Sequence, residues 1–169
     1  MSLTIRKLVS ADCGVISDAF TRQGWRKPVE QYQRFLAEAA EGLREVLVAE
    51  MDGEFAGYLN IVWTSFYPPF RDRSIPEVTD LNELIKFRKQ GVATRLLDEA
   101  ESLISQRSPI AGIRVGLTPD YGAAQRLYVR RGYVPDGFGL SYECEPLQYG
   151  DKATVDDDLT LGFTKQLRC

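Results

Sequence analysis

Hydrophobic and polar positions change period several times along the chain, and each change marks an element. Residues 3–8, LTIRKL, alternate apolar and polar as a half-buried strand does. Ser10 and Asp12 then offer a helix cap, and the pattern predicts a helix to about Phe20. Residues 24–28, GWRKP, break it. From Val29, apolar residues recur near helical spacing at Tyr32, Phe35, Leu36 and Ala39, until Gly42 ends the run. Residues 44–63 read as two strands around Asp52-Gly53, a strong hairpin signal. Residues 64–74 form an aromatic, proline-containing loop, and residues 75–84 the next strand. Residues 91–106 carry a single apolar stripe, Val92, Leu96, Leu97, Ala100, Leu103 and Ile104, of an amphipathic helix. Residues 110–117 are a strand. Pro119 then starts a second helix, which runs to about Arg131 with Gly132 past its end. Two final strands, in GLSYECE and DLTLGFTKQL, flank a polar, Asp-rich loop.

The predicted order is β-α-α-β-β-β-α-β-α-β-β. The segment 77–117 is a βαβ unit, so its two strands should be parallel and its crossover right-handed. Hairpins elsewhere make the remaining pairs antiparallel. The expected fold class is therefore α+β, with a mixed sheet of about seven mostly antiparallel strands and about four helices. No linker or repeat divides the chain, so one domain over residues 1–169 is expected.

Composition narrows the chemistry. The chain has 44% hydrophobic and 27% charged residues and a net charge of -3, which argues against a dedicated nucleic-acid binder. No run approaches a membrane span, and the N-terminus lacks a signal pattern, so a cytoplasmic protein is expected. Cys13, Cys144 and Cys169 are scattered and odd in number, which suggests neither a disulfide framework nor a zinc site. The sequence contains no histidine. That removes the commonest acid–base residue, the usual nucleophilic triads and most transition-metal sites, so no metal is expected. Carboxylates, Tyr, Lys, Arg, backbone amides and water must carry any reaction.

One stretch combines these ingredients. In KFRKQGVATRLLDEAE, residues 86–101, Arg88 and Lys89 precede Gly91 and Ala93, and a helix follows at once. A helix start offers free N–H groups and a positive dipole end, which suits a phosphate. Gly91 and Ala93 are small enough to let an anion approach the backbone, and Thr94 adds a hydroxyl. The loop lacks both GxGxxG and the longer Gly-rich Lys-Ser/Thr motif. On residues alone the stretch is either a compact pyrophosphate site or an ordinary turn with solvated basic residues.

The sequence Arg88-Lys-Gln-Gly91-Val-Ala93 resembles the Arg/Gln-x-x-Gly-x-Gly/Ala signature of the GCN5-related N-acetyltransferase (GNAT) superfamily. The later run AAQRLYVRRGYVPDG, residues 123–137, is similar to that family's Ala-x-x-Leu-Tyr-x-x-x-Gly-Phe/Tyr segment, with Ala124, Leu127, Tyr128, Gly132 and Tyr133. The order of elements resembles the family's as well.

The resemblance implies an N-acetyltransferase that moves acetyl from acetyl-CoA to a primary amine, by direct transfer in a ternary complex. It implies that Arg88, Lys89 and the amides of Gln90, Gly91, Val92, Ala93 and Thr94 hold the pyrophosphate. It further implies that Leu81, Asn82 and Glu83 offer backbone to the pantetheine arm, between splayed fourth and fifth strands. Ala124 and Tyr128 would also meet the cofactor. Tyr128 would serve the departing thiol; as a residue alone it reads as a core aromatic. Glu77, eleven residues before Arg88, corresponds to a catalytic Glu of the histone-acetylating branch, with a water chain as the alternative base and a solvated strand-start Glu as the structural one. On a regular strand Glu77, Leu81 and Glu83 would share one face and Val78, Asp80 and Asn82 the other.

Two positions depart from the family. Glu83 stands where an apolar residue is usual, and Tyr121 where Asn is frequent. Trp25, Tyr32, Phe66, Tyr67, Phe70 and Tyr142, with Asp156, Asp157 and Asp158, are candidates for an acceptor wall around a small-molecule or peptide amine. On residues alone they read first as loop aromatics packing over the core and, for the Asp run, as a solvated strand start. The alternative function is a non-catalytic acyl-CoA-binding or regulatory module. Neither nucleic acid nor membrane is an expected partner, and a homodimer through the C-terminal strands is plausible by analogy.

Overall fold

The computed structural model describes residues 1–168; Cys169 lies outside the described residues. The strands are β1 (Leu3–Lys7), β2 (Arg44–Met51), β3 (Glu54–Val62), β4 (Glu77–Glu83), β5 (Ile110–Gly116), β6 (Val134–Tyr142), β7 (Glu145–Pro146) and β8 (Leu159–Gln166). The helices are α1 (Asp12–Arg22), α2 (Val29–Ala40), α3 (Pro68–Arg71), α4 (Val92–Ser105) and α5 (Gly122–Arg130). The fold is α+β, and its eight strands are mostly antiparallel with one parallel pair, β4 and β5. Four elements differ from the pattern reading. The strand expected in GLSYECE begins earlier, as β6 at Val134, and Glu145–Pro146 forms a separate short strand, β7. A helical turn, α3, forms inside the aromatic loop, where Pro68 and Pro69 occupy its first positions. The helix expected from Pro119 opens instead as a 3-10 turn, Pro119–Tyr121, before α5.

The chain forms two compact units. The first comprises residues 1–63 and 79–103. In it β1 pairs antiparallel with β2, and β2 with β3 across the Asp52-Gly53 turn. Its core gathers Phe20, Tyr32, Phe35, Val46, Val48, Phe55, Tyr58 and Leu84. The helical spacing of α2 delivers Tyr32 and Phe35 to this core, and each such burial is worth about 1.5–3 kcal/mol. The expected cap of α1 is different in kind. Ala11 occupies the cap position without a side-chain bond, and Asp12 instead accepts from the Val9 N–H and from Arg6.

The second unit comprises residues 64–78 and 104 onward. There the first two residues of β4 pair parallel with β5, Glu77 with Gly112 and Val78 with Ile113. Strand β8 lies antiparallel between β5 and β6, and β7 covers the end of β6. Tyr67, Phe70 and Ile75 form a small core of their own with Ile110. No helix among the described residues is long and apolar enough to cross a membrane.

Candidate cofactor and catalytic sites

The candidate cofactor stretch, residues 86–101, lies in the first unit. Strand β4 ends at Glu83, a 3-10 turn covers Ile85–Phe87, and the chain then reverses into α4. Two residues make the reversal in the left-handed region, Lys89 at φ 62° and Gly91 at φ 88°. The second conformation explains the glycine, because an L side chain there is strained. Nothing lies within 4 Å of where a Gly91 Cβ would stand, so that side of the turn is open. The first helical bond of α4 runs from the Arg95 N–H to the Gly91 carbonyl. The amides of Val92, Ala93 and Thr94 therefore precede the hydrogen-bonded ladder, and the Ala93 N–H already meets the Glu83 carboxylate. Val92 is buried and anchors the turn, while Arg88, Lys89, Gln90 and Thr94 are exposed.

Neighbours hold this turn in place. The Gln90 side chain donates to the Lys86 carbonyl at 2.9 Å, Lys86 pairs with Glu54, and the Ile85 N–H donates to Gln23 Oε1 at 3.0 Å. The Arg88 guanidinium lies 5.6 Å from the centre of the Trp25 ring, which itself stacks on Phe20. Gly57 on β3 lets the end of β4 approach closely: a Cβ there would stand 2.6 Å from the Asn82 carbonyl oxygen and 3.2 Å from Val92 Cγ1.

The first turn of α4 contains no acidic residue, but Glu83 supplies a carboxylate from β4. Partial burial raises the Glu83 pKa, while the Ala93 N–H and the Arg88 charge act to lower it. Leu81 and Asn82 are half-buried on the same strand. The regular alternation expected for this strand fails at two places. Glu77 and Val78 are both buried, and Asp80 takes a left-handed φ of 53°.

The remaining candidates lie in the second unit. Tyr128, on α5, is 5% exposed and packs against Tyr133 with ring centres 6.1 Å apart. Burial pushes its phenol pKa up, and Tyr121 adds to the shift. Ala124, one turn earlier on α5, is half-buried. Glu77 is 2% exposed and both of its oxygens are engaged. Oε1 accepts from Arg114 Nε at 2.6 Å, and Oε2 accepts from Ser65 Oγ at 2.5 Å. Burial lowers the Arg114 pKa, Glu77 and Cys144 raise it, and the net shift is upward. Pattern reasoning missed Ser65 and Arg114. The available signal was a lone arginine inside the otherwise apolar run of residues 110–117.

The aromatic candidates divide. Tyr32, Tyr67 and Phe70 are core residues, Trp25 packs against the first core, and Phe66 is exposed. In the second unit Tyr142 donates to Asp156 and Tyr121 to Asp157, each at 2.9 Å, and the Asp158 N–H donates to Asp156 Oδ1. Among the described residues no group of three or more His, Cys, Asp or Glu could hold a metal ion.

The end of β4, the left-handed Gly91 turn and the start of α4 together leave an open stretch of backbone of the kind that suits an anion. The chain belongs to the acetyltransferase (GNAT) family, whose model matches residues 14–133. It is 28% identical over 115 residues to an uncharacterized N-acetyltransferase of Archaeoglobus fulgidus, covering 68% of this chain and 74% of that protein. Its fold is similar to that of an N-acetyltransferase from Staphylococcus aureus Mu50, with a TM-score of 0.73, 12% identity and coverage of 99% and 100%. It is similar also to yncA of Salmonella typhimurium, solved with its cofactor acetyl-CoA, with a TM-score of 0.68, 19% identity and coverage of 99% and 95%. At these identities the two structures speak for the fold alone.

Proposed function

We propose that this protein is an acetyl-CoA-dependent N-acetyltransferase that acts on a primary amine by direct transfer in a ternary complex. The observation that carries the reading is the open, left-handed Gly91 turn before α4, in a chain of the GNAT family. The residues fit a diphosphate: the Cβ side of Gly91 is open, three amides precede the helical ladder, and Arg88 and Lys89 supply charge. In this reading Gln90 and Thr94 complete the cradle, and Leu81, Asn82 and Glu83 offer backbone to the pantetheine arm. Ala124 and Tyr128 meet the cofactor from α5. Acetyl-CoA supplies the activated acyl group.

The chain's own residues then have two proton tasks. Tyr128 hydrogen-bonds the departing sulfur. Its raised pKa keeps the phenol protonated at neutral pH, so it stabilises the thiolate by donation rather than by complete transfer. The proton of the amine goes to Glu77 or to ordered water. Both Glu77 oxygens already accept bonds, and one must open before Glu77 acts as a base. That geometry favours water. A homodimer belongs to the same reading, supported by the exposed apolar residues Val134, Phe138 and Leu140 on β6.

The test is a thermal-unfolding shift with acetyl-CoA, compared with ATP and NAD. Ligand at 100 times its Kd stabilises by about 2.7 kcal/mol, a shift of several degrees. A shift with acetyl-CoA alone supports the reading. A shift with ATP or NAD and none with acetyl-CoA overturns it. Cofactor binding with no amine accepted, and no change on Tyr128→Phe, would instead favour a non-catalytic acyl-CoA-binding module.

A further inference from the structure

Three polar side chains in the first unit are fully buried and leave atoms without hydrogen-bond partners: the Tyr32 hydroxyl on α2, the Tyr58 hydroxyl on β3 and Asn60 Oδ1 on β3. A buried unsatisfied polar group costs about 1–3 kcal/mol, so three of them in one region require an explanation. They converge. The Tyr32 and Tyr58 rings meet edge to face with centres 5.3 Å apart. Asn60 Nδ2 donates to Asp80 Oδ2 at 3.0 Å, which leaves the Asn60 oxygen as a free acceptor. The Asp80 charge raises the pKa of both phenols, with burial the larger cause; Tyr32 is pushed up to about 12. The Tyr58 hydroxyl also interacts with the Tyr32 hydroxyl and with the Asn82 side chain, though neither contact has the geometry of a full hydrogen bond.

Asp80 itself is exposed and sits at φ 53° in the middle of β4. Left-handed backbone at a non-glycine residue within a strand is unusual and is often a feature of functional sites. Its carboxylate accepts from Asn60 and its charge reaches both phenols, so the exposed residue of the group is the charged one.

The unmet valences select the ligand. Asn60 contributes a bare carbonyl oxygen, Asp80 a negative charge, and the two phenols contribute oxygens whose protons can turn aside. A primary ammonium has three donors and one positive charge, and matches this set. A carboxylate or phosphate does not, because it would meet Asp80 and the Asn60 oxygen. We infer that Asp80, Asn60, Tyr58 and Tyr32 form a recognition site for the ammonium group of the acceptor. The inference rests on the acetyltransferase reading and concerns capture of the acceptor. Alkylamines are almost entirely ammonium at neutral pH, so this is the form that arrives.

The test uses the full chain, saturated with acetyl-CoA, with n-butylammonium chloride as probe and n-butanol at the same concentration as the neutral control. Affinity is read by titration calorimetry. Asp80→Asn removes the charge, keeps a side chain that tolerates left-handed backbone, and retains an oxygen for Asn60. Tyr58→Phe removes only the orphaned hydroxyl. The expected result is binding of butylammonium but not butanol, weakened about tenfold to a hundredfold by Asp80→Asn. Tyr58→Phe should also weaken it, with the protein's Tm unchanged or raised. For any amine that is turned over, Asp80→Asn should raise KM far more than it lowers kcat.

Equal binding to the wild type and Asp80→Asn, or no binding of butylammonium to the acetyl-CoA-loaded protein, overturns the inference. A fall in Tm with Tyr58→Phe and no effect of either variant on the probe would mean that the cluster holds a structural water only. The acetyltransferase reading fails separately, by the absence of acetyl-CoA binding itself.

Discussion

The Glu77–Arg114 pair provides the sharpest test of what the structure says beyond the sequence. Glu77→Gln removes a buried negative charge and leaves the shape almost unchanged. The side chain of Glu77 is 3% exposed and that of Arg114 is 16% exposed, so the guanidinium would keep its charge with little water to replace the lost partner. The Tyr67 ring, 5.1 Å away, and a 3.5 Å contact to Cys144 Sγ are weak substitutes. Breaking one half of a buried pair costs about 3–5 kcal/mol. For a chain of this length each kcal/mol moves Tm by about 2–4 °C, so a drop on the order of 10 °C is expected. The double variant Glu77→Gln/Arg114→Met removes both charges and should recover much of the loss, because replacing a whole buried pair is often nearly neutral. Urea unfolding of the wild type, Glu77→Gln, Arg114→Met and the double variant at pH 7, followed by tryptophan fluorescence, measures the cycle. If Glu77→Gln unfolds within about 1 kcal/mol of the wild type, the ion-pair argument is wrong. If it also abolishes turnover with the acetyl-CoA shift intact, Glu77 is the base.

Other consequences are open to direct measurement. Tyr128→Phe should lower kcat by about a hundredfold or more while preserving the acetyl-CoA thermal shift. Because burial raises the Tyr128 pKa, its phenol stays protonated past its ordinary range, and any alkaline loss of activity that it causes should begin above pH 10. Glu83 has a raised pKa, so its contribution to stability is complete below the ordinary carboxylate range and is lost as pH rises through the raised value. Glu83→Gln should therefore flatten the pH dependence of Tm. It should also tighten acetyl-CoA binding severalfold at pH 7, since the carboxylate draws on the same Ala93 amide; unchanged affinity would separate Glu83 from the cradle. Gly57→Ala would press a methyl to within 2.6 Å of the Asn82 carbonyl and 3.1 Å of Glu83 Cα. Backbone cannot swing aside as a side chain does. The expected cost is about 1–3 kcal/mol, read as a Tm lower by several degrees, with weaker acetyl-CoA binding.

Much of the architecture follows from local pattern. The hairpin at Asp52-Gly53, the apolar stripe of α4 and the parallel β4–β5 pair are all legible, because each depends on neighbours in sequence or on the handedness of one crossover. The Gly91 turn is legible for the same reason. Gly91, Ala93 and the basic residues before them lie within one turn of chain, and the backbone there needs a left-handed glycine whatever packs elsewhere. The site chemistry that depends on long-range partners is not. Glu77 reads as a free strand-start carboxylate until Arg114, thirty-seven residues on, and Ser65 claim its two oxygens. Asp80 reads as one polar position of an alternating strand; only the tertiary structure turns it left-handed and sets it beside Asn60, Tyr58 and Tyr32. Tyr142 looks like a member of an acceptor wall and Tyr121 like a departure from a family Asn, and the fold gives their hydroxyls to Asp156 and Asp157. Residue type and spacing decide which elements form and where backbone must bend. Which charge is neutralised, and which polar atom is left without a partner, depends on strands brought together across distances that no local pattern encodes.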